Sequence, residues 1–133
     1  MSQDRKTKQR DAILAAIERL GRPLKAQEIL DEASGELPGL GLATVYRNIR
    51  RLVESGWLAE VEVMGEGKRY ERAGKHHHHH FHCQDCDRLF ELEDCPDVDF
   101  ASLLPEGFRL AAHELVLTGS CASCERQSLP GQS

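Results

Sequence analysis

The sequence predicts an α+β protein in two parts, on three observations. Three runs of helical apolar period precede two strand-like runs around Gly65-Glu66-Gly67. All seven histidines and all five cysteines lie beyond residue 75. Two Cys-x-x-Cys pairs, Cys83/Cys86 and Cys121/Cys124, stand about 35 residues apart.

In the first part, Ile13, Leu14, Ile17 and Leu20 repeat at helical spacing and predict a helix over Thr7 to Leu20, with Gly21 as its stop. A second helix is expected from about Ala26 to Ala33, with Ala26, Ile29, Leu30 and Ala33 on one face. A Gly- and Pro-rich loop, Ser34 to Gly41, leads to a third helix from about Ala43 to Ser55, with Val45, Ile49, Leu52 and Val53 inward. Leu58 to Val63 and Lys68 to Arg72 read as a hairpin. Three helices and a hairpin is the order of a winged helix-turn-helix, with helix three as reader and hairpin as wing. A helical domain that binds no nucleic acid would have the same order. The outward face of helix three decides between them: Thr44, Tyr46, Arg47, Asn48, Arg50 and Arg51 mix phosphate-seeking and base-reading chemistry, and the first Glu is Glu54 at the far end.

Charge separates the two parts. The net charge is −5, yet residues 1–72 hold 13 basic against 12 acidic side chains (+1), and residues 73–133 hold 4 against 10 (−6). An acidic half that carries every histidine and cysteine points to metal. The near-neutral half keeps the basic clusters Lys6/Lys8/Arg10 and Arg47/Arg50/Arg51, suited to phosphate. No apolar run approaches the roughly 20 residues that span a bilayer, and the polar N-terminus has no signal-peptide pattern, so a cytoplasmic location is expected.

After a hinge, Ala73-Gly74-Lys75, the sequence predicts strands at His79 to Cys83 and Arg88 to Leu92. A short helix after Pro96, through Val98 to Leu104, is expected next, then a strand from Phe108 to Thr118. Two Cys-x-x-Cys knuckles place four thiolates on one ion, and four soft ligands with no open position suit a structural zinc. Paired disulfides and thioredoxin-like motifs are the alternatives; compartment argues against the first and the lack of a βαβ pattern against the second. Cys95 is left over and reads as a buried spectator thiol.

The run His76 to His80 lies inside the chain and leads into Cys83, which separates it from a terminal tag. On a strand, His78 and His80 share one face, and His77 and His79 share the other. Each face can give two imidazoles to a separate ion, with Glu71 and Glu91 able to serve the first and Asp99 and His113 the second. A solvated histidine cluster without a site is the alternative.

The chain resembles the ferric uptake regulator (Fur) family along nearly its whole length. The resemblance rests on Thr7-Lys-Gln-Arg10, Gly41-Leu-Ala-Thr-Val-Tyr-Arg-Asn48, the run His76 to Cys83 with Cys86, and Cys121 to Cys124. It implies a winged helix-turn-helix domain (1–72), a hinge (73–75), a C-terminal α/β dimerisation domain with a four-cysteine zinc site (76–126) and a tail (127–133). It further implies a homodimer on double-stranded operator DNA, no membrane, no small organic substrate and no catalysis. Within the resemblance, Tyr46 and Arg47 match the DNA-reading positions, and the residue pattern above adds Arg10, Thr44, Asn48 and Arg50 as DNA-binding candidates. Glu71, His78, His80 and Glu91 form a regulatory site, and His77, His79, Asp99 and His113 a second one. The HHHHHF run and Asp94-Cys95-Pro96 look most like the zinc uptake regulators. Ala73 stands where zinc-sensing members typically place a cysteine, and Pro23 where iron and peroxide sensors place a histidine. Zinc is therefore the favoured regulatory metal, with manganese or ferrous iron as the alternative.

Overall fold

The computed structural model describes residues 2–63, 67–74 and 78–128, and the chain divides into two units, 1–75 and 76–133. The first contains α1 (Ser2–Leu20), α2 (Ala26–Ala33), α3 (Leu42–Glu54), β1 (Leu58–Val63) and β2 (Gly67–Arg72). Helix α1 begins five residues before the expected Thr7, because residues 2–6 carry no apolar side chain to mark the period. Asp4 and Lys8, 3.7 Å apart, lie on successive turns of this polar extension.

The three helices bury their apolar stripes against one another and against the hairpin. Ile13, Ile29 and Val45 are wholly inaccessible, and Ala16, Ala33, Ile49, Leu58 and Tyr70 complete the centre. Burying a branched aliphatic side chain contributes about 1.5–3 kcal/mol, so this stripe holds the unit together. Glu28 accepts a hydrogen bond from the Lys25 amide (3.0 Å) at the start of α2 and pairs with Arg22 at 2.7 Å. Strands β1 and β2 are antiparallel, from Leu58 opposite Arg72 to Val63 opposite Gly67; Gly65 and Glu66 of the predicted turn lie outside the described residues. One tie has no counterpart in the sequence pattern: Leu24 and Tyr70 exchange both backbone hydrogen bonds (2.9 and 2.8 Å), binding the α1–α2 connection to the wing.

The second unit is a three-stranded sheet ordered β4-β3-β5, from β3 (His79–Cys83), β4 (Leu89–Leu92) and β5 (Val116–Gly119), with α4 (Ala122–Ser128) at its end. Strand β3 pairs antiparallel with β4 and parallel with β5. Three expectations are corrected here. The helix expected over 98–104 is one 3-10 turn, Phe100–Leu103, between Pro96 and Pro105. The strand expected over 108–118 is regular only from Val116: among the described residues its ladder with β3 begins at Val116 opposite His80, and Phe108 is 66% exposed. The expected tail from 127 begins inside α4, a helix without a clear signal because its seven residues contain one cysteine of the second knuckle and little apolar period.

Helix α3 ends at a glycine that geometry requires. Gly56 has φ +85°, its N–H reaches Val53 O (3.1 Å), and the Trp57 N–H reaches Leu52 O (2.9 Å), the Schellman arrangement that satisfies the last carbonyls. A Cβ at Gly56 meets nothing within 4 Å, so substitution costs backbone strain alone. Gly56→Ala is expected to destabilise the first unit by about 1–2 kcal/mol, read as a lower denaturant midpoint. An unchanged midpoint would show that α3 does not depend on this turn.

Candidate metal centres and nucleic-acid face

The two knuckles close on each other. Cys83 ends β3 and Cys86 lies in the turn after it; Cys121 follows β5 and Cys124 sits in the first turn of α4. Parallel pairing of β3 with β5, down to Cys83 opposite Gly119, brings the four sulfurs within 4.8 Å of one another. Cys83 Sγ lies 3.7 Å from Cys124 Sγ, and Cys86 Sγ 3.8 Å from Cys121 Sγ. A tetrahedron with metal–sulfur bonds of about 2.3 Å has edges of about 3.8 Å, so the group has the dimensions of a zinc site.

Its electrostatics suit an ion as well. Backbone N–H groups of Cys86 (3.5 Å) and Cys121 (3.3 Å) point at Cys83 Sγ. These donors, that of Cys86 foremost, lower the Cys83 thiol to about 6 against the opposing effect of burial. Burial first, and the neighbouring sulfurs next, push Cys124 up to about 12. Without an ion the cluster holds few thiolates; a divalent cation supplies the charge that lets all four ionise. Outside the sulfurs, Ser120 Oγ donates to Asp85 Oδ2 (2.6 Å) and the Gln84 N–H to Gly119 O (2.8 Å), locking one knuckle to the other.

The histidines sort by face. His80 is the ladder partner of Glu91, and His78 Nε2 lies 3.3 Å from Glu91 Oε1. The rings of His78 and His80 stand edge to face with centroids 4.9 Å apart. Two imidazoles and a carboxylate thus converge on one side of the sheet. Glu71 belongs to the first unit, opposite Ala59 in the β1–β2 ladder. On the other side, His79 stacks on His113 with centroids 5.0 Å apart, and His113 in turn packs on Phe100 at 4.6 Å. His77 lies outside the described residues.

Asp99 stands outside this second cluster: it precedes the 3-10 turn, where its carbonyl accepts from Ser102 Oγ (2.6 Å). The member in its place is Cys95, whose sulfur lies 3.4 Å from His79 Nε2 and 3.2 Å from His113 Nε2. Cys95 is exposed, which corrects the expectation of a buried spectator. Counting thiols into the four-cysteine site hid it; the signal that was present is the Asp94-Cys95-Pro96 turn itself. His82, unassigned from sequence, is held by Asp87 Oδ1 at 2.8 Å, in a turn where Asp87 has φ +65°.

On the first unit, Tyr46, Arg47 and Arg50 are exposed on α3 beside the buried Val45 and Ile49. Arg47 Nη2 donates to Thr44 Oγ1 (2.9 Å), holding the guanidinium along the helix. Asn48 Nδ2 donates to Thr44 O (2.9 Å), so part of its amide is engaged within the helix and only the rest can meet a base. Arg10 joins Lys6, Thr7, Asn48, Arg51 and Ser55 around a cleft of about 350 Å³ between α1 and α3. Among the described residues no acidic side chain lines it, which suits a phosphate backbone.

The model of the ferric uptake regulator family matches residues 2–118. The chain belongs to that family. It is 32% identical over 126 residues to a ferric uptake regulation protein of Campylobacter jejuni, covering 91% of this chain and 80% of the relative. Over 122 residues it is also 32% identical to a zinc uptake regulation protein of Mycobacterium tuberculosis, covering 90% and 94%. Among solved structures, the ferric uptake regulator Fur of Helicobacter pylori, described as having three functional metal binding sites, superposes with a TM-score of 0.65. It is 26% identical and covers 89% of this chain and 80% of that one. As a member of the ferric uptake regulator family the chain is a metal-dependent transcriptional regulator, not an enzyme.

Replacing Cys83 or Cys121 by Ser is expected to remove tightly held zinc, from one ion per chain to none by elemental analysis, and to cost the second unit its fold in circular dichroism. A zinc-free second unit that stays folded would refute the structural role.

Proposed function

We propose that the protein is a homodimeric repressor that binds double-stranded operator DNA when its regulatory site is metallated and so controls metal-uptake genes, with zinc as the favoured signal. The observation that carries this reading is the convergence of His78, His80 and Glu91 immediately after the hinge, in a chain whose other unit presents Tyr46, Arg47 and Arg50 outward. Residues 1–72 would be the DNA-binding domain, 73–75 the hinge and 76 onward the dimerisation domain, with the protein acting in the cytoplasm.

In the proposed mechanism, Glu71 from the end of the wing joins His78, His80 and Glu91 on one ion. Metal then fixes the spacing of two winged helices that must reach successive major grooves about 34–36 Å apart. The metal acts by population shift, because it binds the DNA-competent arrangement more tightly; such coupling is typically worth about 1–3 kcal/mol. Dimerisation is supported by the apolar surface of the second unit: Leu103 is 75% exposed, and Val98, Phe108, Leu110, Val116 and Leu117 are exposed with it. Of the second-site residues foreseen, His79 and His113 would hold a further ion, with His77 as an expected further ligand.

The choice of metal rests on ligand chemistry. Zinc and ferric uptake regulation proteins are equally similar to this chain at 32% identity. The His-rich run favours zinc. Ala73, where a thiolate would mark a zinc sensor, leaves an all-N/O set at the hinge that also suits manganese or ferrous iron, the second reading.

Anaerobic fluorescence anisotropy on an operator from the protein's own gene neighbourhood, with free metal set by buffers and salt fixed, tests both. Binding switched on by trace free zinc supports the zinc sensor; binding indifferent to zinc but switched on by micromolar manganese or ferrous ion moves the assignment to the second reading. DNA binding that ignores every metal would sink the proposal. In the same assay, His80→Ala should require about tenfold more free metal or beyond while its structural zinc stays bound. Arg47→Ala should weaken operator affinity by at least about 1 kcal/mol with metal uptake unchanged; parallel loss of both would indicate misfolding.

A further inference from the structure

We infer that Cys95 is a metal ligand: with His79 and His113 it makes the second site a mixed thiolate–imidazole centre, selective for zinc-like borderline-soft cations over manganese. Three separate segments deliver these donors, β3, the turn before the 3-10 helix and the stretch before β5, and all three ligand atoms lie within 4.8 Å of one another. Around a tetrahedral ion with bonds of about 2.3 Å to sulfur and 2.0–2.1 Å to nitrogen, the S···N edge is about 3.5 Å. The Cys95 sulfur stands 3.4 and 3.2 Å from the two Nε2 atoms. Phe100 packs on the His113 ring and fixes its plane. A thiolate in this place changes the metal the centre prefers, because sulfur ligands favour zinc where carboxylate and imidazole alone suit manganese as well.

Metal loading has a defined proton balance. The Leu115 N–H donates to His79 Nδ1 at 3.1 Å, so in the metal-free protein the neutral ring carries its proton on Nε2, facing the sulfur. An ion bound at Nε2 sends that proton to Nδ1, and the Cys95 thiol releases its own to solvent. One proton leaves per ion. The new Nδ1–H would then face the Leu115 N–H, so loading requires that amide to move off the ring, a local change that reports occupancy of this centre.

The inference rests on the second site of the reading above, but its test involves no DNA. The protein is kept with its structural zinc, confirmed at one per chain before and after, and titrated anaerobically with Co(II). The hinge site offers only nitrogen and oxygen and gives weak ligand-field bands; a cobalt–thiolate bond adds an intense near-ultraviolet charge-transfer band. That band is expected in the wild-type protein, with a shifted Leu115 amide resonance in a parallel zinc titration. It should vanish in Cys95→Ser, weakening metal binding at this centre about tenfold or more, and persist in Asp99→Asn. A saturated wild-type spectrum without the band, or a band that survives in Cys95→Ser, would overturn the assignment. Failure of metal-switched DNA binding with the band intact would instead count against the hinge mechanism alone.

Discussion

Closure of two knuckles on one another is the constraint on which the second unit depends. Among its described residues only His79, His82, Cys83 and Leu89 are buried, far too little apolar surface for about 60 residues to fold by burial. Bringing Cys121 back to Cys86 closes a span of 35 residues, which costs about 3 kcal/mol of chain entropy plus a constant. Structural zinc in small domains supplies about 10–16 kcal/mol at neutral pH. The cysteine cluster, once it held zinc, would therefore dominate that balance and take the place of a hydrophobic core. It also seats β5 beside β3 in parallel, so the placement of every histidine on β3 follows from it.

The first unit is built on the opposite principle. Its buried stripe of Ala, Ile, Leu and Val is continuous across three helices and the wing, and no ion is needed to hold it. Helix α3 is anchored by Val45 and Ile49, ended by Gly56, and so turns its Tyr and Arg side chains outward as a rigid set. Rigid presentation matters for a reader of DNA, because base contacts carry specificity only when phosphate contacts have fixed the register. In the proposed reading the basic cleft between α1 and α3 would offer that register-setting contact, with Arg10 serving it from a helix other than the reader.

Much of this was legible in the sequence wherever a periodicity or a spacing encodes the contact directly. The helices of the first unit follow the 3.6-residue apolar period, and the glycine stops mark their ends. The four cysteines announce their cluster by spacing alone, and alternation along β3 separates His78 and His80 from His79. What escaped has no periodic signature. The Leu24–Tyr70 pairing joins backbones 46 positions apart and leaves no trace in side-chain pattern. Asp99 was drawn to the second cluster by its residue type, yet its backbone is committed to a 3-10 turn and Cys95 occupies the place. The strand expected over 108–118 shows the limit of alternation as a signal: it reports which face is apolar, not whether a partner strand exists within the same chain.

Strand β3 holds ligands for opposite sides of one sheet within consecutive residues, and this constrains how such a chain can change over generations. Deleting one residue between His80 and Cys83 would turn each residue of the run to the opposite side. But it would bring His77, His78 and His79 to the places of His78, His79 and His80, so both faces would keep their imidazoles. Substitution at Glu91 on one side, or at Cys95 on the other, alters a single cluster and leaves its neighbour untouched. Lineages descending from this chain can therefore drift in metal preference one side at a time through the partners of β3.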